Sequence, residues 1–225
     1  LTLALARRAG AVRAVEIDER LIPVLKERFR EMPHVSVIHG DIMEMDIRAL
    51  MGEEQPFHVA ANLPYYLTTP ILTRLMKSEL PVLSISVMVQ QEAAERLMAR
   101  AGSPEYGPLA VLAAYRGTPR AAVRVPARLF TPPPKVDSVF VTLPYHGEGK
   151  PRPGDEKLFF RLVYAAFAMR RKTLVNNLVP AFSLSRGQAI GLVKDSGFPE
   201  TIRGEKLSLE EFIRLSDALK DLKNK

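Results

Sequence analysis

The sequence has no cysteine. That rules out disulfides, thiolate metal sites and a cysteine nucleophile, and it suits a reducing cytoplasm. No apolar run approaches the roughly 20 residues that span a bilayer, so no membrane partner is expected. Internal repeats and low-complexity tracts are absent too. Acidic residues are in deficit: 25 Asp and Glu stand against 32 Lys and Arg, a net charge of +7 with a pI near 9.7. A basic balance favours nucleic acid or anionic lipid as a partner, and it also serves plain solubility. What is present is 225 residues, 47% of them hydrophobic. This is enough for one medium domain, or one domain with an appendage, around a sizeable core.

The first hundred residues alternate between two periodicities. "VRAVEI" (12–17), "VSVIHG" (35–40), "PFHVAAN" (56–62) and "VLSISVMVQ" (82–90) read as strands. "DERLIPVLKERF" (18–29) has helical spacing, with Leu21, Val24, Leu25 and Phe29 expected on one side. "TPILTRLMKSEL" (69–80) and "QEAAERLMARAG" (91–102) also read as helices. Such alternation implies parallel β-α-β units and an α/β, doubly wound, Rossmann-like sheet. "PRAAVRVP" and "SVFVTLPY" follow with little helix between them, which suggests an antiparallel pair at a sheet edge. "HGEGKPRPGDE" (146–156) reads as a linker. After it the chain looks helical throughout, and Ser208 with Glu211 has the pattern of a capping box. The expected division is a sheet domain over 1–147 and a small helical domain over 155–225. The chain opens on Leu1 in the middle of what reads as a helix, "LTLALARRAG", so further residues are expected upstream.

In open parallel sheets ligands sit beyond the C-terminal ends of the strands. The first three strands end at Glu16, Asp41 and Asn62, each about one β-α unit after the last. An acidic residue in such a place can accept hydrogen bonds from a ribose diol, and an Asp after the next strand can accept from the exocyclic amine of adenine. Ile17 and Ile42 would flank the flat ring. The alternatives are caps for Glu16 and Asp18 and a turn for Gly40-Asp41. Taken together, three polar residues at consecutive strand ends favour a nucleoside ligand, either a dinucleotide or S-adenosylmethionine.

"ANLPYY" (61–66) separates those two. Asn62-Leu63-Pro64-Tyr65 is a turn, and it is also what amino methylation of a nucleobase needs. The lone pair of an exocyclic amine is delocalised into the ring. An Asn side-chain oxygen and a backbone carbonyl can each accept one N–H and leave the lone pair aimed at a sulfonium methyl. Pro64 fixes its own φ and biases the preceding residue to an extended conformation. A tyrosine ring can stack on the base. No carboxylate, His or metal is required, and a hydride-transfer enzyme has no obvious use for the tetrapeptide.

At these residues the sequence resembles the ribosomal RNA adenine N6-dimethyltransferases, most closely the bacterial small-subunit branch associated with kasugamycin sensitivity. "AVEIDERL", "GDIMEMD" and "NLPYYLTTPIL" resemble the ribose-binding, adenine-binding and catalytic segments. "FTPPPKVDSVFVTL" (130–143), "AAFAMRRKTLVNNL" and "IRGEKLSLEEFIRL" extend the likeness over almost the whole chain. The resemblance implies S-adenosylmethionine bound at Glu16, Ile17, Asp41, Ile42 and Asn62. It implies a target-base pocket of Asn62, Leu63, Pro64, Tyr65 and Phe130. It implies dimethylation of two adjacent adenosines in the 3′-terminal hairpin of 16S ribosomal RNA, within an immature 30S subunit and by a monomer. Independently, Phe130 stands before the stiff Pro132–Pro134 run, which can hold a ring toward a crevice so that Tyr65 and Phe130 grip a splayed base.

Arg116, Arg120, Arg124, Arg128 and Lys135 crowd the proline segment, and Arg170, Arg171 and Lys172 form a second cluster. Phosphate contacts are expected from Arg116, Arg128, Lys135 and the second cluster; each is equally readable as a solvated charge. Two departures stand out. Tyr66 occupies a position where the family usually has Asn. The family's glycine-rich cofactor loop would lie before Leu1, so weakened cofactor binding and activity are expected of this chain. The rival readings are a large-subunit methyltransferase of the macrolide-resistance type, a non-catalytic assembly factor on the same fold, and a nicotinamide oxidoreductase.

Overall fold

β-branched runs and amphipathic stretches alternate in the structure as their periodicities predict. The computed structural model describes residues 1–52, 55–147 and 149–224. Glu148 of the expected linker and Lys225 of the last expected helix lie outside the described residues. The elements are α1 (Thr2–Ala6), β1 (Val12–Glu16), α2 (Ile22–Arg28), β2 (Val35–His39), α3 (Ile47–Met51), β3 (Phe57–Asn62) and α4 (Thr68–Lys77). They continue with β4 (Val82–Gln90), α5 (Gln91–Met98), α6 (Pro108–Arg116), β5 (Arg120–Val125) and β6 (Ser138–Pro144). The helices α7 (Glu156–Ala166), α8 (Leu174–Phe182), α9 (Arg186–Asp195) and α10 (Leu209–Lys223) complete the chain. None of the described helices is long and apolar enough to cross a membrane.

The sheet is mostly parallel, with its hydrogen bonding in two blocks. β1 pairs with β2 in parallel, Glu16 opposite His39. The other block has the order β3-β4-β6-β5. In it β3 and β4 run parallel, with Asn62 opposite Met88, and β6 runs antiparallel to both β4 and β5. The late antiparallel pair therefore does sit at a sheet edge.

Three expectations change. The helix over 18–29 begins as a 3-10 turn (Glu19–Leu21), capped by the Asp18 side chain, before α2 starts. Three residues per turn shift the register of the buried face. Ile22 and Phe29 are buried, and Leu21 and Val24 face solvent. The helix α6 was not visible as a separate element, because a helix that is apolar on nearly every side shows no amphipathic period. Leu109 to Ala113 and Tyr115 are all buried. The long helical stretch after the linker is broken between α7 and α8. The break is held by buried Asn177, whose amide donates to the Ala166 carbonyl (2.9 Å) and accepts from Met169 N–H (3.2 Å). The capping box at Ser208 forms with both arms, and Ser185 with Gln188 makes a second.

The core runs without interruption from Ile85, Val87 and Val141 of the sheet, through α6, to Phe159, Leu174, Phe212 and Leu215 of the C-terminal helices. Each such side chain contributes about 1.5–3 kcal/mol when taken out of water. Aromatic contacts join the parts: Tyr106 meets Phe167 edge-on at 5.7 Å and Tyr115 meets Phe159 at 5.0 Å. The buried Tyr106 hydroxyl donates to the Leu207 carbonyl (2.9 Å).

Two glycines report opposite constraints. A methyl group at Gly117 would lie 2.0 Å from the Pro144 carbonyl oxygen, backbone that cannot step aside. Gly117→Ala is expected to lower stability by about 1–3 kcal/mol or more. Gly191, inside α9, has no such neighbour, and Gly191→Ala is expected to raise stability by about 0.5–1 kcal/mol. Urea denaturation of both variants checks the pair.

Candidate active site

Glu16 ends β1, and Gly40 N–H donates to its carbonyl at 3.0 Å. Glu16 and Asp41 therefore leave adjacent strands side by side. Glu16 Oε1 accepts from Asp18 N–H (2.9 Å), and Asp41 Oδ1 accepts from Met43 N–H (2.7 Å). The turn reading of Asp41 is thus realised, whereas Glu16, also readable as a cap, orients the Asp18 amide while Asp18 itself makes the cap. Each carboxylate is oriented through one oxygen, and the other has no hydrogen-bond partner among the described residues. Asp18 has a different job. It caps the following turn and pairs with Arg20 at 2.6 Å, which holds its carboxyl below the usual carboxylate range. Ile17 is 61% exposed at the same strand end, and Ile42 is half-buried. Two oriented acceptors and an exposed aliphatic face match the hydroxyl and amine donors and the flat ring of an adenosine.

The Asn62 turn is built from its buried neighbours. Leu63 is buried, while Asn62 and Pro64 are exposed. The Pro64 carbonyl accepts from Leu67 N–H (3.0 Å) and from the hydroxyl of buried Thr68 (3.2 Å), so both its lone pairs are taken. The Leu63 carbonyl has no partner of this kind among the described residues. Tyr65 and Ser138 share a hydrogen bond of 3.2 Å between their hydroxyls, and Ser138 is fully buried in β6. Tyr65 is therefore anchored at its rim rather than free.

Because β6 runs antiparallel to β4, with Ser138 opposite Gln90, the segment before β6 lies at the same sheet end as Asn62. Phe130, half-buried, follows a 3-10 turn (Ala127–Leu129) there. Asp137 closes the segment. It accepts from Ala127 N–H (2.9 Å), pairs with Arg124 (3.1 Å), and its carbonyl accepts from Gln91 N–H (3.1 Å). The Ala127 hydrogen bond is the main reason its carboxyl titrates below the ordinary 3.8, with Arg124 adding to the effect.

Arg74 of α4 was not singled out from the sequence. Its guanidinium donates to the Ile42 carbonyl and, at 2.5 Å, to the Met45 carbonyl. It thereby ties the Asp41 segment of one sheet block to the helix that follows Asn62 in the other. Nothing local marks it, since an arginine on a helix reads as a solvated charge. Asp137 and Ser138 were not singled out either; their place inside the 130–143 motif is the signal that could have found them.

The basic residues separate into two kinds. Arg116, expected on RNA, is instead a strut. Its side chain is 14% exposed and pairs with Glu156 at 3.1 Å. It also donates to the Met76 (2.5 Å) and Ser78 (3.1 Å) carbonyls at the end of α4. Glu156 accepts from Tyr115 as well (2.7 Å), and burial together with this bond pushes the phenol up to about 12. Arg128, Lys135, Arg170, Arg171 and Lys172 are exposed, although Arg170 also donates to the Pro104 carbonyl (2.5 Å).

The family described as ribosomal RNA adenine dimethylase matches over residues 1–221. Among curated relatives, the ribosomal RNA small subunit methyltransferase A of Shouchella clausii is 44% identical over 97% of this chain and 76% of its own length. That of Bacillus licheniformis is 41% identical, over 99% and 78%. Among solved structures, a dimethyladenosine transferase from Plasmodium falciparum superposes with a TM-score of 0.78 at 21% identity, covering 99% of this chain and 86% of that one. The 23S rRNA methyltransferase ErmE gives 0.68 at 22% identity, covering 97% and 86%. These two show a shared fold.

The Asp137 clamp has a defined pH window. A depressed carboxylate stabilises at every pH above its ordinary value of 3.8 and loses that contribution as pH falls through its lower folded value. Protection of the Ala127 amide against hydrogen exchange is expected to be flat from neutral pH down to about 4 and to fall below it. Asp137→Asn should lower that protection already at neutral pH.

Proposed function

Because the chain belongs to the ribosomal RNA adenine dimethylase family, we propose that it dimethylates N6 of two adjacent adenosines in the 3′-terminal hairpin of 16S ribosomal RNA, using S-adenosylmethionine, on an immature 30S subunit. The observation that carries this reading is the pinned Asn62-Leu63-Pro64-Tyr65 turn, at the same end of the sheet as the segment that carries Phe130.

Glu16 would accept from the ribose hydroxyls of the cofactor and Asp41 from its adenine amine, with Ile17 and Ile42 against the ring faces. When bound, S-adenosylmethionine supplies the methyl as an electrophilic sulfonium carbon. The rest is done by the chain. Asn62 Oδ1 and the Leu63 carbonyl each accept one N–H of the target amine. The Pro64 carbonyl is already filled and does not compete. Held this way, the nitrogen lone pair is directed out of conjugation and toward the methyl, so positioning supplies most of the rate. Tyr65 and Phe130 stack on the extruded base, and their π faces with the two oxygens stabilise the positive charge that develops on nitrogen. The methylated ammonium is acidic enough to release its proton to water without a general base.

Phosphate contacts from Arg128 and Lys135 near the site, and from Arg170, Arg171 and Lys172 on the α7–α8 connection, give affinity and register. The region over 155–225 serves as the recognition domain for the ribosomal platform. The protein works as a monomer, and its substrate places it in the cytoplasm.

Methyl from labelled S-adenosylmethionine should appear in 16S RNA of immature small subunits. Transfer to large-subunit RNA alone, or binding without any transfer, would replace this reading with the resistance-type enzyme or the assembly factor. Asn62→Ala should lower kcat by about 100-fold or more while leaving RNA affinity within about twofold. Arg128→Ala and Lys135→Ala should each weaken binding to all RNA sequences alike and reduce the salt slope by about one.

A further inference from the structure

Tyr66 has no part in the mechanism above, yet at 81% exposure it is the most exposed large hydrophobic side chain among the described residues. A lone exposed ring is ordinary. This one differs in three respects. The backbone beneath it is fixed: Pro64 precedes it, the Pro64 carbonyl is held from Leu67 and Thr68, and Leu63 and Thr68 are buried on either side. Little but the two side-chain torsions is left to order on binding. Its direction is also set. Tyr65 and Tyr66 are successive residues of a 3-10 turn (Tyr65–Leu67), and such residues point about 120° apart. With Tyr65 tied to Ser138, the two rings cannot hold the same base. Finally, the same sheet end carries exposed Leu129 and Val136 interleaved with the exposed cations Arg128 and Lys135. Apolar faces set among cations suit an unstacked nucleic-acid strand better than an acidic protein or a lipid surface.

We propose that Tyr66 stacks on the nucleobase that neighbours the target adenosine. This rests on the reading of the site as one that acts on RNA. An enzyme that draws one base out of a stack leaves its neighbour with an uncovered face, and a rigid exposed ring beside the pocket covers it. Tyr66 is thus a substrate-binding residue for the strand, distinct from Tyr65, which serves the base that reacts.

The test uses the protein with a hairpin RNA carrying 2-aminopurine beside the target adenosine, and with immature small subunits. Tyr66→Ala should weaken hairpin binding about tenfold and abolish quenching of the 2-aminopurine. Tyr66→Phe should retain both, and neither should change S-adenosylmethionine affinity, the salt slope or the melting temperature. Wild-type binding and quenching in Tyr66→Ala would overturn the proposal. So would a loss seen on subunits but not on the free hairpin, which would give Tyr66 a ribosomal protein as its partner. A wild-type protein that quenches the probe but transfers no methyl would keep the stacking and overturn only the reaction.

Discussion

The guanidinium of Arg74 is the interaction on which the candidate site depends. The two strand ends that would hold adenosine lie in one hydrogen-bonded block, and the turn that would hold the target amine lies in the other. Arg74 donates from α4 to the carbonyls of Ile42 and Met45 and so bridges them. A planar fork of fixed donors reaches two carbonyls at once, which the single ammonium of a lysine does less well. The bonds are charge-assisted and partly buried, hence stronger than neutral ones. Without them the Asp41 segment would keep the Arg48 bond to the Glu79 carbonyl and the packing of Ile42, Met43 and Ile47 on the core, but would lose its direct tie to the middle of α4.

A second arginine does the same for the other half of the molecule. Arg116 joins the end of α4 to α6 and, through Glu156, to α7. The aromatic contact of Tyr115 with Phe159 lies beside it, and that of Tyr106 with Phe167 joins the opposite end of α6 to the C-terminal helices. The sheet and the C-terminal helices therefore share one core, and the basic connection between α7 and α8 is held against that core by buried Asn177. The cations on that connection therefore start from a defined position relative to the sheet, as their proposed role in recognition requires.

At Asn62 a turn and a proposed binding site share one stretch of chain without competing for the same atoms. The turn fills the Pro64 carbonyl, while the Leu63 carbonyl has no partner among the described residues, as the proposed role of acceptor requires. The same holds at Glu16 and Asp41, where one oxygen accepts a backbone N–H and so orients the carboxylate. At Asn62-Leu63-Pro64 the structural bonds fall on one backbone carbonyl and spare its neighbour; at Glu16 and Asp41 they fall on one carboxylate oxygen and spare the other.

Much of this was legible in the residues alone. The strand ends at Glu16 and Asn62, Asp41 just beyond β2, the edge pair β5 and β6, and the Ser208 cap all follow from local rules. Alternation, turn chemistry and capping depend on residues within about four positions of each other. What escaped was what local rules do not reach. The uniformly apolar α6 has no period to read. Arg116 and Arg128 look alike as letters, yet one is enclosed by α4 and Glu156 and the other is exposed. Tyr65 and Tyr66 are adjacent and chemically identical; the family likeness set them apart by position, and the physical difference is Ser138, 73 positions from Tyr65, which holds one hydroxyl. The sequence by itself determined which side chains stand at the ends of strands. The tertiary structure decided which of their atoms, and which of the neighbouring charges, remain available, because availability is set by partners distant in the chain that packing alone brings near.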